Sequence, residues 1–270
     1  MKYGVIDVGS NSVRFMLSDG KNTIYKRMKT TRLAENMGDE LLLKPNAIDR
    51  TILAIKEFKQ LAFIEKVDSL FIFATAAVRQ AKNQNYFVRE VKARLDLDVD
   101  VVSGEIEADL GAIGALNNQD GGVIDVGGAS TELLLIDKNK KVFSRSFNIG
   151  AVKLKDICGQ DIKLCQSYLQ TIFDVDIKGS NPKLRHLAIG GTATTISSIM
   201  QALKVYNPDK VDGYKIDIDS LSALTDKLFA LSIEERKKIV GLQPERAEVI
   251  SCGALILLCV MKKLGLNHVF

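Results

Sequence analysis

The 270-residue chain has no tryptophan, only four prolines and two histidines, and no apolar run long enough to span a membrane. So few prolines argue against a disordered or collagen-like chain, and 46% hydrophobic with 26% charged residues is globular composition. The N-terminus runs directly into Val5-Ile6-Asp7 without a cleavable signal, so a cytoplasmic protein is expected. With only His186 and His268 present, and His268 expected to lie in a poorly ordered C-terminus, histidine-based acid–base or triad chemistry is not expected. Carboxylates must carry any proton transfer. The four cysteines form no CxxC pair. Cys158 and Cys165, like Cys252 and Cys259, are seven apart on one helix face, which favours buried small hydrophobes over a zinc or disulfide site. A net charge of +4 is too small to call for nucleic acid, and neither nucleic acid nor a membrane is expected as a partner.

What the sequence does contain is a repeat. Gly4–Arg27 laid over Gly122–Arg145 matches at 10 of 24 positions, including an unbroken Gly-Val-Ile-Asp-Val-Gly. Two halves that start alike imply a duplicated fold. Each copy reads as strand, polar turn, strand, hairpin and strand: Val5-Ile6, Val13–Leu17 and Thr23–Arg27, then Val123-Ile124, Leu133–Ile136 and Val142–Ser146. Helix and strand alternate after each copy. Helices are expected at 46–63, 77–82, 162–173, 194–203 and 245–264, with strands at 70–74, 99–102 and 187–189. The domain boundary is placed in the polar NNQDGG stretch, giving domains 1–118 and 119–270, with a last helix able to pack back on the first. Two such α/β domains would face each other across a cleft.

Four stretches carry candidate chemistry. In both DVG turns, glycine lets backbone amides approach an oxyanion, and Ser10, Ser12, Ser130 and Thr131 add hydroxyl donors. Asp7, Asp125 and Glu132 fit beside phosphate only through a hard cation or a water. In SGEIEA, Ser103 and Glu105 are explained by helix capping and the helix dipole. Glu107 is not, and is open to two readings: a general base for water, or a surface glutamate. Gly111 and Gly114 are expected to leave a notch beside it, with Ile106, Leu110 and Ile113 on the buried face. Thr75 and Arg79, at a strand-to-helix turn, make a phosphate clamp, or Arg79 is a solvated arginine on a helix. Gly190-Gly191 is compatible with a nucleotide, the tail of a polyanion, or close helix–strand packing.

These stretches together resemble the exopolyphosphatase/guanosine pentaphosphate phosphatase family of the actin–hexokinase–Hsp70 superfold. The resemblance runs through IDVGSNSVR (6–14), ATAAVRQAKN (74–83), SGEIEA (103–108), DVGGASTEL (125–133), NIGAVKL (148–154), IGGTATT (189–195) and GLQPERAEVISCGALIL (241–257). It implies duplicated actin-like (ribonuclease H-like) α/β domains that release terminal phosphate from polyphosphate or guanosine pentaphosphate. It also implies a divalent cation, Mg²⁺ or Mn²⁺, and leaves room for a homodimer. Residue by residue, Glu107 matches the base, and Asp125 and Glu132 match the acidic positions of the second phosphate loop, with Asp7 as a further metal contact. Gly127 and Gly128 match the loop backbone, with Ala129, Ser130 and Thr131 completing it. Arg14, Arg79 and Arg246 match phosphate-contacting arginines, and Ser10, Asn11, Ser12 and Thr75 stand beside them.

Three departures qualify the match. Ala129 replaces the third loop glycine, which would matter if the position needs positive φ. Ile106 stands where the family has a second glutamate. The chain also ends at 270, so short substrates are expected. The competing readings are an ATP-using kinase or ATPase of the same superfold, and a sensor that binds a phosphorylated alarmone without turnover.

Overall fold

The computed structural model describes residues 1–38, 40–177 and 181–270. The chain divides into two compact units, Met1–Ser103 and Gly104–Phe270. No helix among the described residues is long and apolar enough to cross a membrane.

The first unit begins with β1 (Tyr3–Val8), β2 (Ser12–Ser18) and β3 (Thr23–Thr30), an antiparallel meander. Then follow α1 (Pro45–Ile64), β4 (Ser69–Ala74), α2 (Ala76–Gln80), α3 (Gln84–Leu95) and β5 (Asp100–Val101). The sheet order is β3-β2-β1-β4-β5, with β4 parallel to β1 and β5 parallel to β4. Helix α1 has Pro45 in its first turn, where a missing N–H costs nothing, and Ile48, Ile52, Ile55 and Phe58 form its buried stripe. Phe58 stacks on Phe15 of β2 with ring centroids 5.7 Å apart, a contact of about 0.5–1.5 kcal/mol beyond the area buried.

The second unit repeats the plan. It opens with α4 (Gly104–Leu116), followed by the meander β6 (Gly121–Val126), β7 (Thr131–Asp137) and β8 (Lys140–Phe147). Next come α5 (Ala151–Cys158), α6 (Ile162–Ile172), β9 (His186–Ile189), α7 (Gly190–Met200), α8 (Pro208–Val211), β10 (Ile216–Asp217), α9 (Ile218–Ala230) and α10 (Ile233–Arg236). A 3₁₀ turn at Pro244–Arg246, α11 (Ile250–Leu264) and β11 (His268–Val269) complete it. The order β8-β7-β6-β9 matches β3-β2-β1-β4, with β9 parallel to β6 as β4 is to β1. The duplicated α/β class read from the sequence is therefore what the chain adopts. The repeat also holds residue by residue: Asp7 faces Arg14 across β1–β2, and Asp125 faces Glu132 across β6–β7.

Four expectations are corrected. The boundary between the units falls a helix earlier than the NNQDGG stretch, because α4 packs its Ala108, Ala112 and Leu116 on Val123 and Leu134 of the second sheet. Ile106, Leu110 and Ile113 are exposed, since the small-residue face of α4 is the one that lies flat on the strands. Helix α11 is the central helix of the second unit: twelve of its fifteen residues are buried, as in a helix surrounded on every side. The C-terminus is ordered. His268 and Val269 pair with β10, and Phe270 exchanges backbone hydrogen bonds with His186 and Ala188 of β9.

Candidate active site

The turn after β6 is built by its own backbone and clamped from two sides. The Gly127 amide donates to Ser130 O at 3.0 Å, and Thr131 Oγ1 donates to Ile149 O at 2.7 Å. The carbonyls of Gly127 and Gly128 accept from Ala151, Val152 and Lys153, the first amides of α5, while Thr192 Oγ1 holds Val126 O at 2.7 Å. The amides of Gly128, Ala129 and Ser130 donate to no group among the described residues. Three unclaimed N–H groups in one turn form an anion nest. Ala129 is buried, and it is not among the residues with positive φ. Alanine thus sits in this turn without the strain that a positive φ would have imposed.

Three carboxylates gather around the turn. Glu132 of β7 is buried and accepts from Ser146 Oγ at 2.7 Å, with Ser130 as a second donor. Burial, then the charges of Glu107 and Asp125, push Glu132 up to about 8, against the pull of the two serines. Glu107 from α4 is therefore close enough to Glu132 to be felt electrostatically, which sequence spacing did not decide. The notch expected beside it is partly filled: a Cβ at Gly111 would meet Ile189 Cδ1 at 3.1 Å, whereas Gly114 faces open space.

Gly190 and Gly191 close the other side of the site. Gly190 has φ +81°, and a Cβ there would stand 2.2 Å from Asp125 Oδ1. A Cβ at Gly191 would stand 2.4 Å from an Arg246 guanidinium nitrogen. The glycine pair is a spacer that admits a carboxylate and an arginine to the start of α7. Gln243 Oε1 accepts from Arg246 Nε at 3.2 Å and orients it. Ser146, Gln243 and Thr192 were missed in the sequence because each acts through another residue, and only strand register or a turn brings it into place.

In the first unit the corresponding turn is basic. Arg14 lies 3.5 Å from Asp7, whose carboxyl is held above its ordinary range by burial, against the pull of Arg14. Gly9 N donates to Ser12 O at 3.0 Å, repeating the Gly127–Ser130 bond, and Ser10 and Ser12 are buried. Asn11 O accepts the amides of Thr31 and Arg32, and Ser10 O that of Ala34, so residues 31–34 brace this turn. Thr75 precedes α2, a five-residue helix, and Arg79 Nη1 donates to Val102 O at 2.9 Å. That bond ties α2 to the segment after β5.

No three His, Cys, Asp or Glu side chains among the described residues converge as a metal cage. The donor set that is present, Asp125 and Glu132 with a mutual repulsion to relieve, fits a hard cation that takes one or two carboxylates and fills its remaining positions with water and substrate oxygens. Mg²⁺ is such a cation.

The chain is similar to known proteins in sequence and in fold. The profile of the Ppx/GppA phosphatase family matches residues 16–269. A bifunctional 3-dehydroquinate synthase/phosphatase of Fusobacterium nucleatum is 27% identical over 98% of this chain and 44% of its own length. Exopolyphosphatase 2 of Mycobacterium tuberculosis is 24% identical over 94% of this chain and 88% of its own. The solved structure of the Aquifex aeolicus PPX-GPPA enzyme superimposes with a TM-score of 0.78 at 29% identity, covering 100% of this chain and 95% of that one. The chain thus spans under half of the first relative and most of the other two.

Proposed function

The chain belongs to the Ppx/GppA phosphatase family, and on that premise we propose that it hydrolyses phosphoanhydride bonds. It would release the terminal phosphate of short polyphosphates or of guanosine pentaphosphate, with Mg²⁺ or Mn²⁺ as cofactor. The observation that carries this reading is the carboxylate set at the second turn, where burial, then Glu107 and Asp125, raise Glu132 to about 8. Asp125 and Glu132 are the residues that would hold the cation, which when bound supplies charge neutralisation on the transferred phosphoryl group.

The chain's own groups supply the rest. Glu107, half-buried on α4, positions a water and takes its proton. The free amides of Gly128, Ala129 and Ser130 face the negative charge that builds on the phosphoryl oxygens. Arg246, seated on Gly191, adds a guanidinium at the start of α7. In the first unit Ser10, Asn11, Ser12 and Arg14, with Thr75 and Arg79, are the phosphate-gripping groups of this reading.

The test is phosphate release from short and long polyphosphate, guanosine pentaphosphate and ATP, with Mg²⁺ and with EDTA. Mg²⁺-dependent release from short polyphosphate or guanosine pentaphosphate is expected. Release from ATP alone, or phosphoryl transfer to an acceptor in place of release, would favour a kinase or ATPase. Binding without release from any of them would favour a sensor.

A further inference from the structure

Helix α5 begins on a glycine that its own backbone does not call for. Gly150 has φ −145° and ψ 177°, an extended conformation open to any residue, and it caps α5 without a side chain. What requires glycine here is space. A Cβ at Gly150 would lie 2.5 Å from the carbonyl carbon of Gly128 and 2.6 Å from both Gly128 O and the amide nitrogen of Ala129. These are backbone atoms of the second turn, so no side-chain rotation relieves the contact.

The close approach sets the first three amides of α5 on two carbonyls of the turn. Ala151 N donates to Gly127 O at 2.9 Å, and Val152 N and Lys153 N donate to Gly128 O at 2.9 and 3.1 Å. Amides at these positions have no partner within a helix and ordinarily take a capping side chain. Here the turn is the cap, and α5 acts on an anion only through it. A trans peptide unit is planar, so one whose C=O is held on one side presents its N–H on the other. The Gly127 carbonyl shares its unit with the Gly128 amide, and the Gly128 carbonyl shares its unit with the Ala129 amide. Helix α5 therefore fixes the direction of two of the three unclaimed amides. It also polarises them, because a peptide unit that accepts a hydrogen bond donates a stronger one. The first turn is held otherwise: its Ser10 and Asn11 carbonyls accept from Ala34, Thr31 and Arg32, which lie in a loop and not at a helix start.

Resting on the phosphoanhydride reading of this site, we propose that Gly150 is a positioning residue for the reaction. By admitting the start of α5 to the turn, it aims the Gly128 and Ala129 amides at the phosphoryl oxygens.

The experiment labels the full chain isotopically at nitrogen and follows its backbone amides by NMR as inorganic phosphate and Mg²⁺ are added. Phosphate release from short polyphosphate is measured beside it. In the wild type the Gly128 and Ala129 amide protons are expected to move downfield, while those of Ala151, Val152 and Lys153, already bonded, stay in place. Movement of the α5 amides with the turn unmoved would overturn the proposal. In Gly150→Ala both shifts should vanish, with the phosphate Kd raised about tenfold and kcat lowered on the order of 100-fold. A folded Gly150→Ala protein with wild-type shifts and rate would overturn it too. Should Gly150→Ala not fold, Ala151→Pro decides, since proline suits the first helical position and an extended residue before it. This change deletes only the bond to Gly127 O. The shift is then expected to be lost at Gly128 and kept at Ala129, with kcat lowered about tenfold. Shifts kept at both amides, or lost at both, would contradict the aiming. Wild-type shifts with no phosphate release from any substrate would sink the hydrolase reading and leave the aiming standing. Wild-type release matched by both variants would do the reverse.

Discussion

The two DVG turns share a backbone and differ in charge. Each closes with the same glycine amide donating to the serine carbonyl three residues on, at 3.0 Å in both. Each presents an aspartate at the end of the central strand. Opposite Asp7 stands Arg14, and opposite Asp125 stands Glu132. The position after the aspartate's parallel partner also differs: Ala74 in the first unit, Gly190 in the second. A Cβ at Gly190 would collide with Asp125, so only the second unit clears space for its aspartate on that side. One backbone has been fitted out twice, once with an arginine opposite its aspartate and once with a second carboxylate.

The comparison breaks most sharply at Glu132. In Glu132→Gln we expect phosphate release to fall on the order of 100-fold and the Mg²⁺ requirement to move to higher concentration, since a ligand is lost while Ser146 can still bond the amide. The same variant should be the more stable of the two without Mg²⁺ at pH 9. Glu132 holds its proton more tightly folded than unfolded, so this stability is complete below about 4.5 and is lost as pH rises through about 8. Chemical denaturation of the metal-free wild type should therefore show the free energy of unfolding falling from pH 5 to 9, by on the order of a few kcal/mol, with Mg²⁺ and Glu132→Gln each flattening the fall. A flat wild-type profile would contradict the buried repulsion.

Charge reversal in the first turn has a smaller expected effect. Arg14→Glu gives it the second turn's chemistry, and KM should rise about tenfold with kcat changed little, the loss of one charge-assisted contact. A fall in kcat at unchanged KM would place Arg14 in the chemistry rather than in binding. Smaller still are two single-methyl changes. Gly190→Ala should cost about 1–3 kcal/mol by chemical denaturation, from its φ of +81° and the Asp125 contact. Ala129→Gly should cost about 1 kcal/mol or less and leave activity in place, because Ala129 already has an ordinary φ.

The fold was legible where a repeat or a clean stripe marked it. The shared GVIDVG and the alternating strands after it placed both meanders, and Ile48–Phe58 placed α1. Helix α3 escaped because only Phe87, Val91 and Leu95 are buried in it, too thin a stripe to stand out from its polar neighbours. Helix α4 was found but its faces were inverted. Periodicity favours the bulky Ile106, Leu110 and Ile113 as the inner face, whereas close approach to a sheet selects the small residues. At the site, Asp125 and Glu132 could be picked out from the turn, while the nearness of Glu132 to Glu107 rests on the packing of α4 over β6 and β7, a contact between distant elements. Gly190-Gly191 was ambiguous for a similar reason: what a glycine makes room for is fixed by the residue across the gap.

The central claim is that Glu107 is the base that serves the second turn. It is tested most directly by the rate of phosphate release for Glu107→Gln beside wild type at saturating Mg²⁺, with circular dichroism confirming the fold. The account predicts a loss of about 10²–10⁴-fold in kcat with substrate binding retained. Release at the wild-type rate would contradict it.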